Sequence, residues 1–217
     1  AVMDGCSMGK ESHFASNLIA KLLRKIAKEF AYLEFVQKKQ APAFLLLEDI
    51  MQRLFLELRQ LKHKLDLGRE EMLSTLILGI LDVKEQALEL IAVGDGLVCV
   101  NAQLIEFEQD DRPDYLGYHL EEEFEDWFQN QTQRLSCENV EDLSIATDGI
   151  FTFKPFNNKK YLKISEVDLV EYFLVDEQWL NHERMLQKKF LNIEQKFGLK
   201  PSDDLTIIRL KLDKKQF

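Results

Sequence analysis

The sequence has little of what marks several classes of protein. Its three cysteines are an odd number at wide spacing, which fits neither a disulfide framework nor the paired ligands of a zinc site. Glycine (nine) and proline (four) are sparse and no Ser- or Pro-rich linker is present, so we expect residues 1–217 to form one domain. Unpaired cysteines are typical of a reducing compartment, which predicts a cytoplasmic location.

Positive charge and long apolar runs are scarce as well. The chain has 28 lysines and arginines against 38 aspartates and glutamates, a net charge of −10. This balance argues against a nucleic-acid or anionic membrane partner and leaves room only for a local basic patch. No apolar run approaches the roughly 18 to 20 residues that span a bilayer, and no secretory pattern opens the chain. Residues 1–3 begin like an apolar strand, so we expect further residues upstream of them.

Two long amphipathic helices are predicted in the first third of the chain. Apolar residues recur every four positions from Phe14 to Phe30, and a second apolar series follows Pro42 in alternating three- and four-residue steps until Gly68. The second series has a heptad period, which raises the alternative of an acidic helical interaction protein. Its apolar face is wider than a coiled-coil seam, which favours packing on the chain's own sheet.

Strands and further helices follow. Strands are predicted over residues 75–81, 87–102, 103–108 and 143–151, the second of them interrupted by a tight hairpin turn at Gly94-Asp95-Gly96. Helices are predicted over 120–134, after the cap residue Ser165, and over 179–197, before a last strand that follows Asp203-Asp204. Long strand meanders without intervening helices predict an α+β fold.

The same feature occurs at four strand boundaries: an aspartate stands beside a glycine or a second aspartate. These are Asp4-Gly5, Asp95 between two glycines, Asp148-Gly149 and Asp203-Asp204. Aspartate and glycine are common in turns, so one such pair alone carries no functional information. Carboxylates that converge at one edge of a sheet, however, suit hard divalent cations such as Mg²⁺ or Mn²⁺.

The order of these motifs resembles the metal-dependent serine/threonine protein phosphatases of type 2C. The most specific matches are Ala146-Thr-Asp-Gly149 and Asp203-Asp-Leu-Thr206. The resemblance covers nearly the whole chain and implies a four-layer α-β-β-α sandwich. It also implies a dinuclear Mg²⁺ or Mn²⁺ centre at which a water is activated to hydrolyse phosphoserine or phosphothreonine in a protein substrate.

The resemblance also implies a role for each motif residue. Asp4 would bridge the two metals, the carbonyl of Gly5 would bind one of them, and Asp148 and Asp203 would bind the other. Asp95 matches an acidic residue that helps some members hold a third metal. Asp204 follows the ligand in its motif and is less suited to binding.

Several positions depart from the family pattern. Cys6 stands where many members have a histidine after the first Asp-Gly, and Thr152 stands where some have another acidic ligand. An acidic ligand and a phosphate-binding arginine lie upstream of the first Asp-Gly in the family and are absent from this sequence. These departures favour an alternative function, a phosphatase-fold regulatory or binding module with little turnover. Cys6 lacks the phosphate-binding loop of a cysteine phosphatase, and the four histidines are interpreted as surface or cap residues.

Overall fold

A computed structural model describes residues 1–6, 11, 13–38, 41–108, 114–156 and 162–212. The helices are α1 (Phe14–Gln37), α2 (Ala43–Lys64), α3 (Leu116–His119), α4 (Phe124–Asn130), α5 (Glu166–Leu174) and α6 (Met185–Phe197). The strands are β1 (Leu76–Asp82), β2 (Ala87–Val93), β3 (Gly96–Val100), β4 (Gln103–Phe107), β5 (Arg134–Cys137), β6 (Asp142–Ala146), β7 (Phe153–Pro155), β8 (Leu199–Pro201) and β9 (Ile207–Lys211). None of the described helices is long and apolar enough to cross a bilayer.

Every strand pairs antiparallel with its neighbours, as expected for an α+β fold. One sheet has the order β1-β2-β5, the second has the order β4-β3-β6-β9, and β7 and β8 form a small ribbon. The first residues of the chain lie beside β1, where Val2 bridges to Ile77 and Gly5 to Ser74. The first Asp-Gly motif is therefore fixed at the edge of the first sheet.

Three apolar clusters separate four layers of secondary structure. The first cluster joins α1 and α2 to one face of the first sheet, through Leu76, Leu78, Ile91 and Val93. The second fills the space between the sheets, and the third joins the other face of the second sheet to α5 and α6. Alternate residues of a strand enter different clusters, as Leu76 and Ile77 do, because successive strand side chains point to opposite faces. The predicted four-layer α-β-β-α sandwich is confirmed.

The two long helices form as their apolar spacing predicts. Met51 and Leu54 of the heptad series are fully buried together with Phe55 beside them, and these residues belong to the cluster that packs on the first sheet. The middle of the wide apolar face of α2 is therefore covered within the chain, whereas Phe44 and Leu65 near its two ends are exposed. The predicted cap of α5 also forms, since Ser165 Oγ accepts a hydrogen bond of 3.1 Å from the backbone N–H of Asp168.

The interpretation of Gly94-Asp95-Gly96 as a hairpin turn is wrong. The strands on its two sides, β2 and β3, belong to different sheets, so the segment carries the chain from one sheet to the other. Gly94 has φ +92° and a Cβ there would lie 2.8 Å from the carbonyl oxygen of Asp114, which requires glycine. Asp95 consequently lies between the two sheets at their shared edge.

Three predicted element boundaries are also wrong. The helix expected over 120–134 ends at Asn130, and residues 134–137 form β5 on the edge of the first sheet. The strand expected over 143–151 ends at Ala146, and Asp148–Phe151 form a 3₁₀ turn. The helix expected over 179–197 begins at Met185, and Trp179, with φ +63°, lies outside the right-handed helical region.

Candidate metal centre

Asp4 is held beside β1 by two backbone-directed hydrogen bonds. Its N–H donates to Thr75 Oγ1 at 3.1 Å, and its carbonyl oxygen accepts from the N–H of Thr75 at 2.9 Å. The hydroxyl of the fully buried Ser74 also donates to the Asp4 carbonyl at 2.7 Å. The backbone of Asp4 is thus fixed to β1 while its carboxyl group remains half-exposed.

Asp148 and Asp203 are brought together by threonine hydroxyl groups. Thr147 Oγ1 donates to the carbonyl oxygen of Asp204 at 3.1 Å and accepts from the N–H of Thr206 at 3.0 Å. Thr152 Oγ1 donates to the carbonyl of Gly149 at 2.8 Å and accepts from the N–H of Asp203 at 3.2 Å. Thr152, which replaces an acidic ligand of some relatives, therefore ties the two late motifs to each other.

The predicted residues converge on one small cavity of about 70 Å³. Its lining includes five of them, which come from four separate parts of the chain: Asp4, Gly5, Asp95, Asp148 and Asp203. Asp204 does not line this cavity, and its carboxylate lies 3.1 Å from Nδ1 of His13 at the surface. The structure thus assembles the predicted set and separates Asp204 from it.

The electrostatics of the cavity are those of several carboxylates that share a partly desolvated space. Burial and, after it, the nearby Asp148 raise the pKa of Asp4 to about 7, although the N–H of Gly5, which donates to Asp4 Oδ1 at 2.8 Å, acts to lower it. Burial, together with Asp95 and Asp203, raises the pKa of Asp148 to about 6. A cation placed among these groups would relieve both the burial cost and the repulsion.

The donor set fits a hard divalent cation. Carboxylate oxygens and a backbone carbonyl are the ligands that Mg²⁺ and Mn²⁺ prefer. In the described ranges, however, no three His, Cys, Asp or Glu side chains lie as close together as the ligands of one metal ion. The same aspartates line one cavity, and their negative charges raise the pKa of Asp4 and Asp148.

Two lining residues, Thr75 and Tyr115, were not found by sequence reasoning. Thr75 opens an ordinary apolar strand, and Tyr115 stands in no motif, so neither gives a signal in the sequence. Tyr115 is buried, and burial together with a side-chain hydrogen bond to Cys6 raises its pKa well above the usual range. Cys6 is thus a buried hydrogen-bond partner at the edge of the cavity.

Comparisons with known proteins show the family and the fold of the chain. A sequence model of the family described as Protein phosphatase 2C matches residues 1–191. A solved structure of the PP2C phosphatase domain and a fragment of the regulatory domain of SpoIIE from Bacillus subtilis is similar, with TM-score 0.55 and 18% identity over 97% of this chain and 52% of that chain. A bacterial serine phosphatase gives TM-score 0.52 and 14% identity over 99% of this chain and 86% of that chain.

A third similar structure is the serine/threonine phosphatase PstP/Ppp of Mycobacterium tuberculosis, with TM-score 0.51 and 13% identity over 97% of this chain and 86% of that chain. A search of curated protein sequences gives no match. At these identities the solved structures establish the fold, and this chain spans about half of the SpoIIE chain. The family model, by contrast, covers 191 of the 217 residues. The chain therefore belongs to the protein phosphatase 2C family.

Proposed function

We propose that this chain hydrolyses phosphoserine and phosphothreonine in proteins with two bound Mg²⁺ or Mn²⁺ ions. The observation that carries the proposal is the convergence of Asp4, Asp95, Asp148 and Asp203 on one cavity, although almost two hundred residues separate the first from the last. Among the described residues, the lining has no cationic side chain that would balance these four carboxylates, so a bound metal cation is the group that would balance their negative charge. Membership of the phosphatase family supports the reaction class.

The proposed ligands follow from the motifs and their placement. Asp4 would bridge the two ions, Gly5 would bind one through its carbonyl oxygen, and Asp148 and Asp203 would bind the other. When bound, such ions supply Lewis-acid chemistry, lowering the pKa of a water and neutralising charge on the phosphoryl oxygens. Asp95 is the proposed ligand of a third, looser ion.

The chain's own residues have the task of holding these ligands in place. Thr75 fixes the backbone of Asp4, and Thr152 fixes Asp203 against the turn that carries Asp148. Cys6 occupies the position of the family histidine and is hydrogen-bonded to Tyr115, so we assign it no proton transfer. The serine or threonine oxygen that leaves phosphorus is instead expected to take its proton from solvent.

The test is phosphatase activity with defined metals. We expect turnover of p-nitrophenyl phosphate and of a phosphothreonine peptide with added Mn²⁺ or Mg²⁺, and its loss with excess EDTA. The variant Asp49→Asn is the matched control, because it removes one exposed carboxylate from α2 away from the cavity. Absence of turnover with either metal, in a chain that is folded by circular dichroism, contradicts the proposal.

A second candidate function is a regulatory or binding module that keeps the sandwich but turns over poorly. It is favoured by one observation, that in the described ranges no three potential ligands are grouped closely enough for one metal ion. This module would bind a phosphorylated protein with no metal-dependent release of phosphate. Binding of a phosphopeptide without phosphate release, with Mn²⁺ or Mg²⁺ added, would therefore favour the binding module over the phosphatase.

We also propose a cellular location and a class of partner for the protein. Cys6, Cys99 and Cys137 are all free thiols, which suits a reducing cytoplasm. The net charge of −10 favours a protein partner over nucleic acid or an anionic membrane.

A further inference from the structure

A groove of about 420 Å³ runs beside the aspartate cavity, and Asp4 lines both. One wall of the groove is the N-terminal half of α1. The residues that form this wall recur at helical spacing and are all polar or small: His13, Ser16, Asn17, Ala20 and Arg24. The opposite side includes Asp204, Leu205 and Thr206, which lead into β9. A chain segment lying in this groove would reach the cavity directly.

The wall of the groove carries unusual charge for this protein. Residues 14–28 contain four basic residues and no acidic one, in a chain with a net charge of −10. Lys25 is neutralised by Glu57 of α2, with Nζ 2.8 Å from Oε1. No described carboxylate forms an ion pair with Lys21, Arg24 or Lys28. Lys21 and Lys28 lie about one helical turn before and after Arg24 on the same face of α1, so these three cations form a basic strip that extends along α1 from the wall of the groove.

Of the two acidic groups in the groove, Asp4 belongs to the proposed metal centre and Asp204 is already partnered. The carboxylate of Asp204 lies 3.1 Å from Nδ1 of His13, so it faces the histidine across the mouth of the groove. In the same wall, the side chains of Ser16 and Asn17 both donate to the carbonyl oxygen of His13, so this backbone acceptor is already hydrogen-bonded. Arg24 is thus the exposed charged group of the wall that remains available to a partner.

We propose that this groove binds the segment of a phosphoprotein next to its phosphorylated residue and selects segments rich in aspartate and glutamate. The inference rests on the proposed function, because it assigns the groove to the substrate of the adjoining cavity. Opposite charge across an exposed surface increases the association rate and is weakened by salt. An acidic segment is the partner whose charge complements Arg24 and the lysines beside it.

The test compares two fluorescent phosphothreonine peptides that differ only in having three glutamates or three glutamines beside the phosphothreonine. Binding is measured by fluorescence anisotropy and turnover by phosphate release, each at low salt and at 0.5 M NaCl. We expect the glutamate peptide to be favoured about three- to five-fold in Kd and in KM at low salt, with the preference lost at high salt. Arg24→Gln should reduce the preference to near unity.

Arg184→Gln is the matched control, since Arg184 is an exposed arginine before α6 on the opposite outer layer. It should retain the preference. Equal binding of both peptides by the parent chain, or an unchanged preference in Arg24→Gln, overturns the inference even when p-nitrophenyl phosphate is hydrolysed. Loss of all turnover with the binding preference intact contradicts the proposed function instead. Arg24-dependent binding to phosphatidylserine vesicles without a peptide preference assigns the strip to a membrane and also overturns the inference.

Discussion

At the scale of single residues, Asp4 is unusual because its carboxyl group has a pKa near 7 in a site built from other carboxylates. The ordinary value is 3.8. Between these two pH values the folded chain retains a proton that the unfolded chain has lost. Stability without metal therefore falls as the pH rises through this window.

We predict that the metal-free chain loses stability between pH 4.5 and 8, and that Asp4→Asn loses less. The carboxyl group is only half-buried, so solvent screening reduces its contribution to on the order of 1 kcal/mol. Urea unfolding in EDTA across this range measures the difference. If the free energy of unfolding fell equally with pH in the parent and in the variant, Asp4 would not be desolvated, contrary to the structure.

The same residue should be the most sensitive to substitution when metal is present. A carboxylate that bridges two ions contributes to both, so Asp4→Asn should abolish activity, while Asp148→Asn and Asp203→Asn should each weaken it about 10- to 100-fold. Asp95→Asn should be milder. Bound Mn²⁺ should also raise the melting temperature of the parent by mass action, and Asp4→Asn should lose that increase while Asp49→Asn keeps it. An Asp4→Asn variant that kept both the phosphatase activity and the Mn²⁺-dependent rise in melting temperature would disprove the assigned metal centre.

At the scale of elements, the 3₁₀ turn that starts at Asp148 packs directly against the segment before β9. A Cβ on Gly149 would lie 2.3 Å from the carbonyl oxygen of Asp204, and backbone cannot yield at that distance as a flexible side chain does. The close approach places Asp148 and Asp203 in one cavity. Glycine is therefore required here for space, since its φ is not in the left-handed region.

We predict that Gly149→Ala reduces metal-dependent activity at least ten-fold and destabilises the fold by about 1–3 kcal/mol, the usual cost of overpacking. Gly68→Ala is the control, because a Cβ there meets only a flexible glutamate side chain at 3.4 Å. Phosphate release and urea unfolding of both variants test this. Full activity in Gly149→Ala would mean that the spacing of the two motifs is not critical.

The element scale also shows where sequence patterns suffice and where they fail. The apolar period located the start of α1 and both ends of α2 to within a few residues because each helix buries one continuous face, whereas α1 continues beyond Phe30 to Gln37. The strand over residues 134–137 was not predicted, and the helix expected over 120–134 ran into its first residue, because pairing with β2 is a long-range contact that leaves no local signal. Likewise, Gly94-Asp95-Gly96 has the composition of a hairpin turn. It connects two different sheets only because β2 and β3 pair with different strands, which the local sequence does not show. The aspartates of the site could be predicted from motif order, whereas Thr75 and Tyr115 join the cavity only through tertiary contacts.

At the scale of the whole molecule, the layers depend on one another. Each sheet contributes one face to the inter-sheet cluster and the other face to a helix cluster. The loss of either sheet would therefore expose two apolar clusters rather than one. The candidate centre needs the same arrangement, since Asp4 lies beside the first sheet while Asp148 and Asp203 adjoin strands of the second. This interdependence is the physical basis for expecting residues 1–217 to be one domain.

The two tryptophans allow that expectation to be tested. Trp127 is buried against Phe55 in the first helix–sheet cluster, with ring centroids 4.4 Å apart, and Trp179 lies in the segment that joins α5 to α6, the helices of the opposite outer layer. In Trp179→Phe the fluorescence reports on the first layer, and in Trp127→Phe it reports on the last. For one cooperative domain we predict that the fluorescence and far-UV circular dichroism midpoints in urea coincide within each variant, even though Trp127→Phe lowers the midpoint itself. A fluorescence transition that precedes the circular dichroism transition in either variant would show that its outer layer unfolds separately, and the chain would then have to be divided into independently stable parts.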